Sequence, residues 1–426
     1  MGAAAPARGG GRSPLLFVFL TVFIDLLGFG IVIPLLPIYS KAFDASELEL
    51  GLLFSCFSGM QFLFAPMWGR LSDRIGRKPV LVGGLVGTAA SYVVFARADS
   101  MLALYVSRLA AGFFGGNISA AQALIADITT DRDRAKGMGL IGAAFGLGFT
   151  FGPLLGGELS HVEYGATVLP ALPGYVAASL SLCAALFGAA LLREPARHLG
   201  GGRAWGMGQV RRAFADGRTG TLIALNFLNV FAFSCFEAMF TRYGLALFPA
   251  EFGQTTSIEH ASVEDILRAA PIAGRYLFGI GILSALIQGG FIRRLVPRYG
   301  ETRLASVGPL VLGIAFGVIG GAPTWAIVIA GCVLMPFGFG LSNPSVNGLL
   351  SRAAPASEQG AYMGLNQSAA SLARVLGPPF AGALFAILPR LPFFAAAVVL
   401  CGAAGLAARY RSRHGASFEA SAAPAP

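Results

Sequence analysis

The chain is built from long apolar stretches separated by short polar segments. A helix needs roughly 20 apolar residues to cross the hydrocarbon core of a bilayer. Runs of about this length lie near residues 14–38, 50–69, 79–96, 101–126, 137–160, 172–192, 219–240, 275–292, 304–321, 324–349, 360–387 and 391–408. Most connections between them are short, so neighbouring helices must be antiparallel. We therefore predict an all-α membrane protein with twelve transmembrane helices.

The composition supports a lipid environment. Of the 426 residues 55% are hydrophobic and only 12% are charged, whereas soluble domains usually carry about 25% charged residues. The net charge of +10 arises from basic residues between the apolar runs, which favours membrane topology over nucleic-acid binding as its cause. The five cysteines lie in apolar stretches without metal-ligand spacing, so we expect neither a metal nor another cofactor.

The distribution of Lys and Arg predicts the orientation, because these residues are concentrated in cytoplasmic loops. With both termini inside, 23 of the 31 Lys and Arg fall in cytoplasmic segments and six fall outside. We expect a multi-pass protein of the cell membrane (inner or plasma membrane) with cytoplasmic tails at 1–13 and 409–426.

A long basic link divides the predicted helices six and six. Residues 193–218 contain six Arg among Gly and Ala. This link separates a bundle at 14–192 from a second bundle at 219–408. Paired halves around a midplane site are common among secondary transporters.

The strongest local motif lies between the second and third runs, at residues 69–78. Gly69 permits close approach of a helix, and Gly76 permits a tight turn. Asp73 lies among basic residues that include Arg74 and Arg77. This loop resembles that of the major facilitator superfamily, whose pattern G-x-x-x-D-R-x-G-R-[RK] is matched at every fixed position.

The resemblance implies a fold of two six-helix bundles and a conformational switch. In the family, the counterpart of Asp73 docks on the N-terminus of the eleventh helix in the outward-facing state. The counterpart of Arg77 pairs with an acid that ends the fourth helix, where this chain has Asp127. The equivalent loop of the second half, 290–300, lacks an acid at the matching place, so we expect a weaker or different switch there.

Two further helices extend the resemblance. Residues 25–37 are similar to the first helix of the drug–proton antiporter group, particularly of tetracycline efflux proteins and their animal relatives. The fifth helix resembles the antiporter motif at Gly148, Gly152, Pro153 and Gly157. Glycines recurring every four residues, here continued by Gly156, form a smooth face on which another helix packs closely.

Four charged residues lie within predicted spans, where an ionised side chain costs at least about 2.5–3.5 kcal/mol. They are Asp25, Arg108, Glu237 and Arg374. We expect them to face a central cavity, with Asp25 and Glu237 coupling transport to protons. Asp25 and Arg108 are predicted partners, since the first and fourth helices adjoin in this fold.

Other polar residues within the spans are candidates to line the cavity with the two arginines. The predicted cavity residues are Arg108, Asn117, Gln122, Asn229, Asn343, Gln367 and Arg374. The alternative is that individual amides form bonds between helices.

Together these features predict a secondary transporter that exports an amphipathic organic molecule or drug against inward proton flow, by alternating access and as a monomer. One alternative is a uniporter or organic-anion exporter in which the arginines bind the substrate. Another is a membrane receptor or scaffold that transports nothing. No catalytic constellation is apparent, and the four His fall in predicted loops or the tail, so we do not expect an enzyme.

Overall fold

The computed structural model describes residues 14–128, 131–160, 170–192, 194, 216–253, 263–355 and 359–422. Every regular element within these ranges is a helix. The tail at 1–13 and most of the predicted link lie outside the described residues.

In the described part of the chain, the first bundle contains eight helices that form six rods. The first rod is broken by a turn before Leu36, and the fourth is broken before Ile118. The helices are α1 (Pro14–Val32), α2 (Leu36–Ala42), α3 (Glu47–Ile75), α4 (Arg77–Ala96), α5 (Met101–Gly115), α6 (Ile118–Ile128), α7 (Asp131–Leu159) and α8 (Leu172–Leu191).

The second bundle contains six rods as well. A 3-10 turn, Pro249–Phe252, follows its first helix, and a π turn, Ile287–Phe291, joins two parts of its second rod. The helices are α9 (Gly217–Leu247), α10 (Val263–Leu286), α11 (Ile292–Tyr299), α12 (Glu301–Gly321), α13 (Trp325–Ala353), α14 (Gln359–Ile387) and α15 (Leu391–Ala422).

Eleven helical segments of the described chain are long and apolar enough to cross a membrane. The 29-residue helix α7 occupies the place of the remaining predicted run, 137–160. The described residues therefore form the predicted twelve rods in the predicted order. Several extend beyond the apolar runs, and α15 continues through residues 409–422, which were predicted to be tail. Ala and Arg there are good helix formers outside lipid as well as within it.

We call the side at which α1 begins and α15 ends the termini side, and the opposite side the distal side. On the distal side, α3 starts with a capping box. Ser46 Oγ accepts from the Glu49 backbone N–H, and the Glu49 carboxylate accepts from the Ser46 N–H at 2.8 Å. This cap places Glu47 in the first turn, where a negative charge is favoured by the helix dipole.

The glycine face of α7 packs on α1, as the four-residue repeat predicts. A Cβ at Gly148 would lie 2.7 Å from Leu26 Cβ, and one at Gly152 would lie 2.5 Å from Gly30 Cα. A Cβ at Gly156 would overlap the backbone carbonyl of Ile31. No side chain fits at these positions without moving the helices apart.

Candidate functional site

Asp25 lies on α1 within the first bundle. Its Oδ1 atom is buried and has no hydrogen-bond partner. The Thr88 hydroxyl of α4 lies beside the carboxyl without meeting hydrogen-bond geometry. Burying an ionised carboxylate without hydrogen-bond partners costs free energy, so the site is suited to a protonated carboxyl.

Arg108 on α5 is buried to 1% exposure. Its Nε, Nη1 and Nη2 atoms have no hydrogen-bond partner. The guanidinium carbon lies 5.7 Å from the centroid of Tyr92 and 5.1 Å from that of Phe95. Phe95 in turn stacks on Tyr39 of α2, with centroids 5.4 Å apart. Aromatic faces therefore stabilise this cation, while its N–H donors stay available.

The predicted direct pairing of Asp25 with Arg108 is wrong for this state, because no ion pair joins them. Tyr92 of α4 is placed instead to interact electrostatically with both. Its ring packs on the backbone of α1 at Gly28, where a Cβ would lie 2.7 Å from the phenol oxygen. Sequence reasoning missed Tyr92, because a tyrosine in an apolar run resembles a packing residue. The available signal was Gly28, three positions after Asp25, which leaves room for a large side chain on the neighbouring helix.

The second bundle contains a similar acid and base. Glu237 on α9 has a buried Oε1 without a hydrogen-bond partner. It interacts electrostatically with Arg374 of α14, although the two do not form a contact ion pair. The helices are held together nearby, because Ser234 Oγ donates to the carbonyl of Ala373 at 3.3 Å. The sequence did not link Glu237 with Arg374.

Amides connect the helices of the second bundle. Asn366 donates to Asn347 Oδ1 at 2.7 Å, and Asn347 donates to Asn343 Oδ1 at 2.7 Å. Asn229 donates to Ser342 Oγ at 2.7 Å. These bonds tie α9, α13 and α14 together, so Asn229 and Asn343 have structural partners in this state.

The other predicted cavity residues differ in exposure. Asn117 is buried at the junction of α5 and α6 against Gly84, with its Nδ2 unpartnered. Gln122 is partly exposed and Gln367 is exposed. Their contact with substrate stays a prediction.

Arg77 is the centre of the motif between α3 and α4. Its Nε donates to Asp127 Oδ2 at 2.9 Å, which is the contact implied by the resemblance, and its Nη1 donates to Ser72 Oγ at 2.6 Å. Nη1 also pairs with Asp73 at 2.5 Å, although the Asp73 side chain is 62% exposed. Arg74 is exposed. Asp73 is thus engaged by its own bundle in this state.

The two motif glycines serve different purposes. Gly76 has a φ of +111°, and the helix α4 starts directly after it. A Cβ on Gly69 would make only an ordinary contact, 3.6 Å from Ser119 Oγ of α6. Only Gly76 is therefore required by backbone conformation.

Glu194, which sequence reasoning missed, caps α4. Its carboxylate accepts from the backbone N–H of Arg77 at 2.6 Å and of Lys78 at 2.9 Å. A carboxylate at a helix N-terminus is favoured. Glu194 thereby joins the segment that follows α8 to the motif. The sequence signal that could have indicated this role is an acidic residue at the start of a basic link.

Among the residues that the structure describes, two ion pairs join the bundles on the distal side. Arg242 of α9 donates from Nε to both Glu47 oxygens, at 2.8 and 2.9 Å, and from Nη2 to Oε1 at 2.6 Å. Arg275 of α10 donates from Nε to Glu158 Oε1 of α7 at 2.6 Å and from Nη2 to Oε2 at 3.2 Å. In both pairs the acid belongs to the first bundle.

Close helix packing accompanies these ion pairs. On α3, Ser55 Oγ donates to the carbonyl of Val375 on α14 at 2.6 Å. A Cβ at Gly51 would overlap the backbone of Pro378 of α14, and one at Gly157 of α7 would lie 2.6 Å from the carbonyl of Ala270 on α10. These contacts lie in the distal halves of the helices.

The contact between α7 and α10 continues at least as far as Gly281, where a Cβ would lie 2.6 Å from Thr150 Oγ1 of α7, whereas other glycines on these helices have room around them. A Cβ at Gly59 of α3 would meet only Val375, at 3.9 Å. At Gly146 of α7 and Gly279 of α10 it would meet nothing within 4 Å. In the described part of the chain, the bundles therefore close against each other on the distal side.

Two helical bundles that close at one end around buried charges define a secondary transporter in the membrane. The family profile described as Major Facilitator Superfamily matches residues 18–378 and, again, residues 260–425. The chain belongs to this family, as the loop motif predicted.

Several known proteins are similar along most of the chain. The tetracycline resistance protein, class B, of Escherichia coli is 27% identical over 368 residues, 86% of either chain. Multidrug resistance protein 1 of Bacillus subtilis (strain 168) is 30% identical over 391 residues, 91% of this chain and 93% of the relative. The crystal structure of the human organic anion transporter MFSD10 superposes with a TM-score of 0.67 at 26% identity, covering 94% of this chain and 100% of that one.

Proposed function

We propose that the protein exports an amphipathic organic molecule in exchange for protons, by alternating access and as a monomer. The observation that carries the proposal is the buried Asp25 Oδ1, which has no hydrogen-bond partner, in a bundle that also contains the buried and unpaired Arg108. A protonated Asp25 fits this state. Rearrangement that brings the carboxylate to Arg108 or to water would stabilise its ionised form and release the proton.

The termini side is assigned to the cytoplasm. The assignment rests on the excess of Lys and Arg in segments on that side. With this orientation, closure by Glu47–Arg242 and Glu158–Arg275 on the distal side corresponds to an inward-facing state. Substrate would enter from the cytoplasm or inner leaflet and leave after these ion pairs open.

The tetracycline and multidrug resistance relatives favour an amphipathic drug as substrate. A second candidate is an organic anion. It is favoured by the available donors of Arg108 and by similarity to the human organic anion transporter. In that case Arg108 would bind the anionic group of the substrate directly.

Inverted membrane vesicles distinguish these candidates. We would measure uptake of radiolabelled tetracycline and of a fluorescent organic anion, with and without an acidic vesicle interior, and use vesicles without the protein as the control. Tetracycline uptake that requires the pH gradient and stops with a protonophore supports proton-coupled drug export. Uptake of the anion alone, unaffected by the gradient, supports the second candidate and contradicts the first.

A further inference from the structure

The two bundles contain equivalent turns on the termini side. Gly76 precedes α4 with φ +111° and ψ 157°, and Gly300 precedes α12 with φ +74° and ψ 150°. Each is the residue just before the third rod of its bundle. Both turns use a positive φ that favours glycine, although the residues around them share little of the motif.

The residue after each glycine forms an ion pair with the end of the fourth rod. Arg77 pairs with Asp127, the penultimate residue of α6. Glu301 pairs with Arg352, the penultimate residue of α13. The positions correspond, but the acid and the base are exchanged.

We infer that Glu301 and Arg352 form a charge-inverted counterpart of the Arg77–Asp127 ion pair, and that it clamps α12 to α13 throughout the transport cycle. The second bundle thus has a structural equivalent of the motif, although its loop lacks the motif acid. This inference rests on the alternating-access mechanism proposed above.

Helix dipoles favour the second pair more than the first. Glu301 begins α12 and Arg352 ends α13, so each charge is favoured by its own helix end. Arg77 begins α4 and Asp127 ends α6, so each is disfavoured by its own helix. The first pair depends on additional anions, namely Asp73 and the capping carboxylate of Glu194.

Packing holds the acid of the second pair in place. A Cβ at Gly348, one turn before Arg352 on α13, would lie 2.7 Å from Glu301 Oε1. The carboxylate therefore lies directly on the α13 backbone. Any larger residue at Gly348 would push Glu301 away from Arg352.

Charge exchange tests the pair. We would compare Glu301→Arg, Arg352→Glu and the double variant with the parent, using initial transport rates and thermal unfolding of the purified protein. Arg303→Glu is the matched control, because this exposed residue lies on the same turn of α12. We expect each single reversal to slow transport on the order of fivefold, the double variant to recover at least half of the lost rate, and the control to resemble the parent.

The result that overturns the pairing is a double variant no better than the poorer single variant, or single variants equal to the parent. If the single reversals do not accumulate, recovery of folded protein by the double variant supports the pair, and no recovery contradicts it. Thermal unfolding measures the coupling between residues 301 and 352 independently of transport. The ion pair can therefore be confirmed even if the proposed proton exchange is wrong.

Reversible crosslinking tests persistence. Cysteines at positions 301 and 352, in a background without the native thiols, would be joined by a short bifunctional thiol reagent that a reductant cleaves. A permanent clamp predicts that the crosslinked protein transports at least as fast as the cleaved protein, which has neither the crosslink nor the ion pair. Transport that returns only after cleavage would show that the pair must open, and the clamp would be rejected.

Discussion

Arg242 of α9 donates three hydrogen bonds to the carboxylate of Glu47 on α3, across the boundary between the two bundles. The arginine side chain is only 4% exposed and the glutamate 19%. A second distal ion pair, Glu158–Arg275, is far more exposed, at 41% and 62%. The two distal contacts should therefore differ in strength.

Glu47→Gln should shift the transporter towards the distal-open state. Removing one partner of a buried pair costs about 3–5 kcal/mol, and here it leaves Arg242 as an uncompensated buried charge. Glu158→Gln, the matched control, should cost only about 0.2–1 kcal/mol. Spin labels at Asp99 and Glu251, on distal loops of different bundles, would report the opening as a longer distance. Equal distance distributions in both variants would contradict the predicted difference in strength between the two ion pairs.

Asp25→Asn should separate substrate movement from proton movement. The amide keeps the shape of the side chain but does not titrate. We expect vesicles with this variant to exchange substrate down its gradient, yet not to accumulate it when a pH gradient is imposed. Asp25→Glu, which keeps a carboxyl group, should retain part of the accumulation. If Asp25→Asn accumulates substrate like the parent, the coupling site lies elsewhere, and Glu237 is the next residue to substitute.

Gly28→Ala should impair transport by displacing Tyr92. The added methyl would lie 2.7 Å from the phenol oxygen, so the ring must leave its place beside Arg108. Gly83→Ala on α4 is the control, because nothing lies within 4 Å of the added atom there. Transport rates at equal protein amounts measure the effect. A Gly28→Ala variant as active as Gly83→Ala would show that this placement of Tyr92 is not needed.

Asp73→Ala should insert normally but transport slowly. In the state closed on the distal side Asp73 pairs with Arg77, and the family resemblance implies that it docks on a helix N-terminus in the other state. Asp73→Glu keeps the charge and should keep part of the activity. The measurement is the transport rate normalised to protein in the membrane. Full activity of Asp73→Ala would show that Asp73 takes no part in the conformational switch.

The cytoplasmic assignment of the termini side predicts which positions react in intact cells. Single cysteines at Ser46 and Ala204, in a background without the native thiols, would be exposed to a membrane-impermeant maleimide. Ser46→Cys should react without permeabilisation, and Ala204→Cys should react only after it. The opposite pattern would reverse the orientation.

The sequence by itself determined the number and order of the rods, because a membrane requires long apolar helices whose signal is local. It also identified the motif loop, the Arg77–Asp127 contact and the glycine face of α7. It did not reveal that Tyr92 interacts with both Asp25 and Arg108, or that Glu301 and Arg352 repeat the motif contact with exchanged charges. These relationships depend on which faces of distant helices meet, and only tertiary packing decides that. The side on which the bundles close also depends on tertiary structure, because the same helices can close on either side without a change in their local structure.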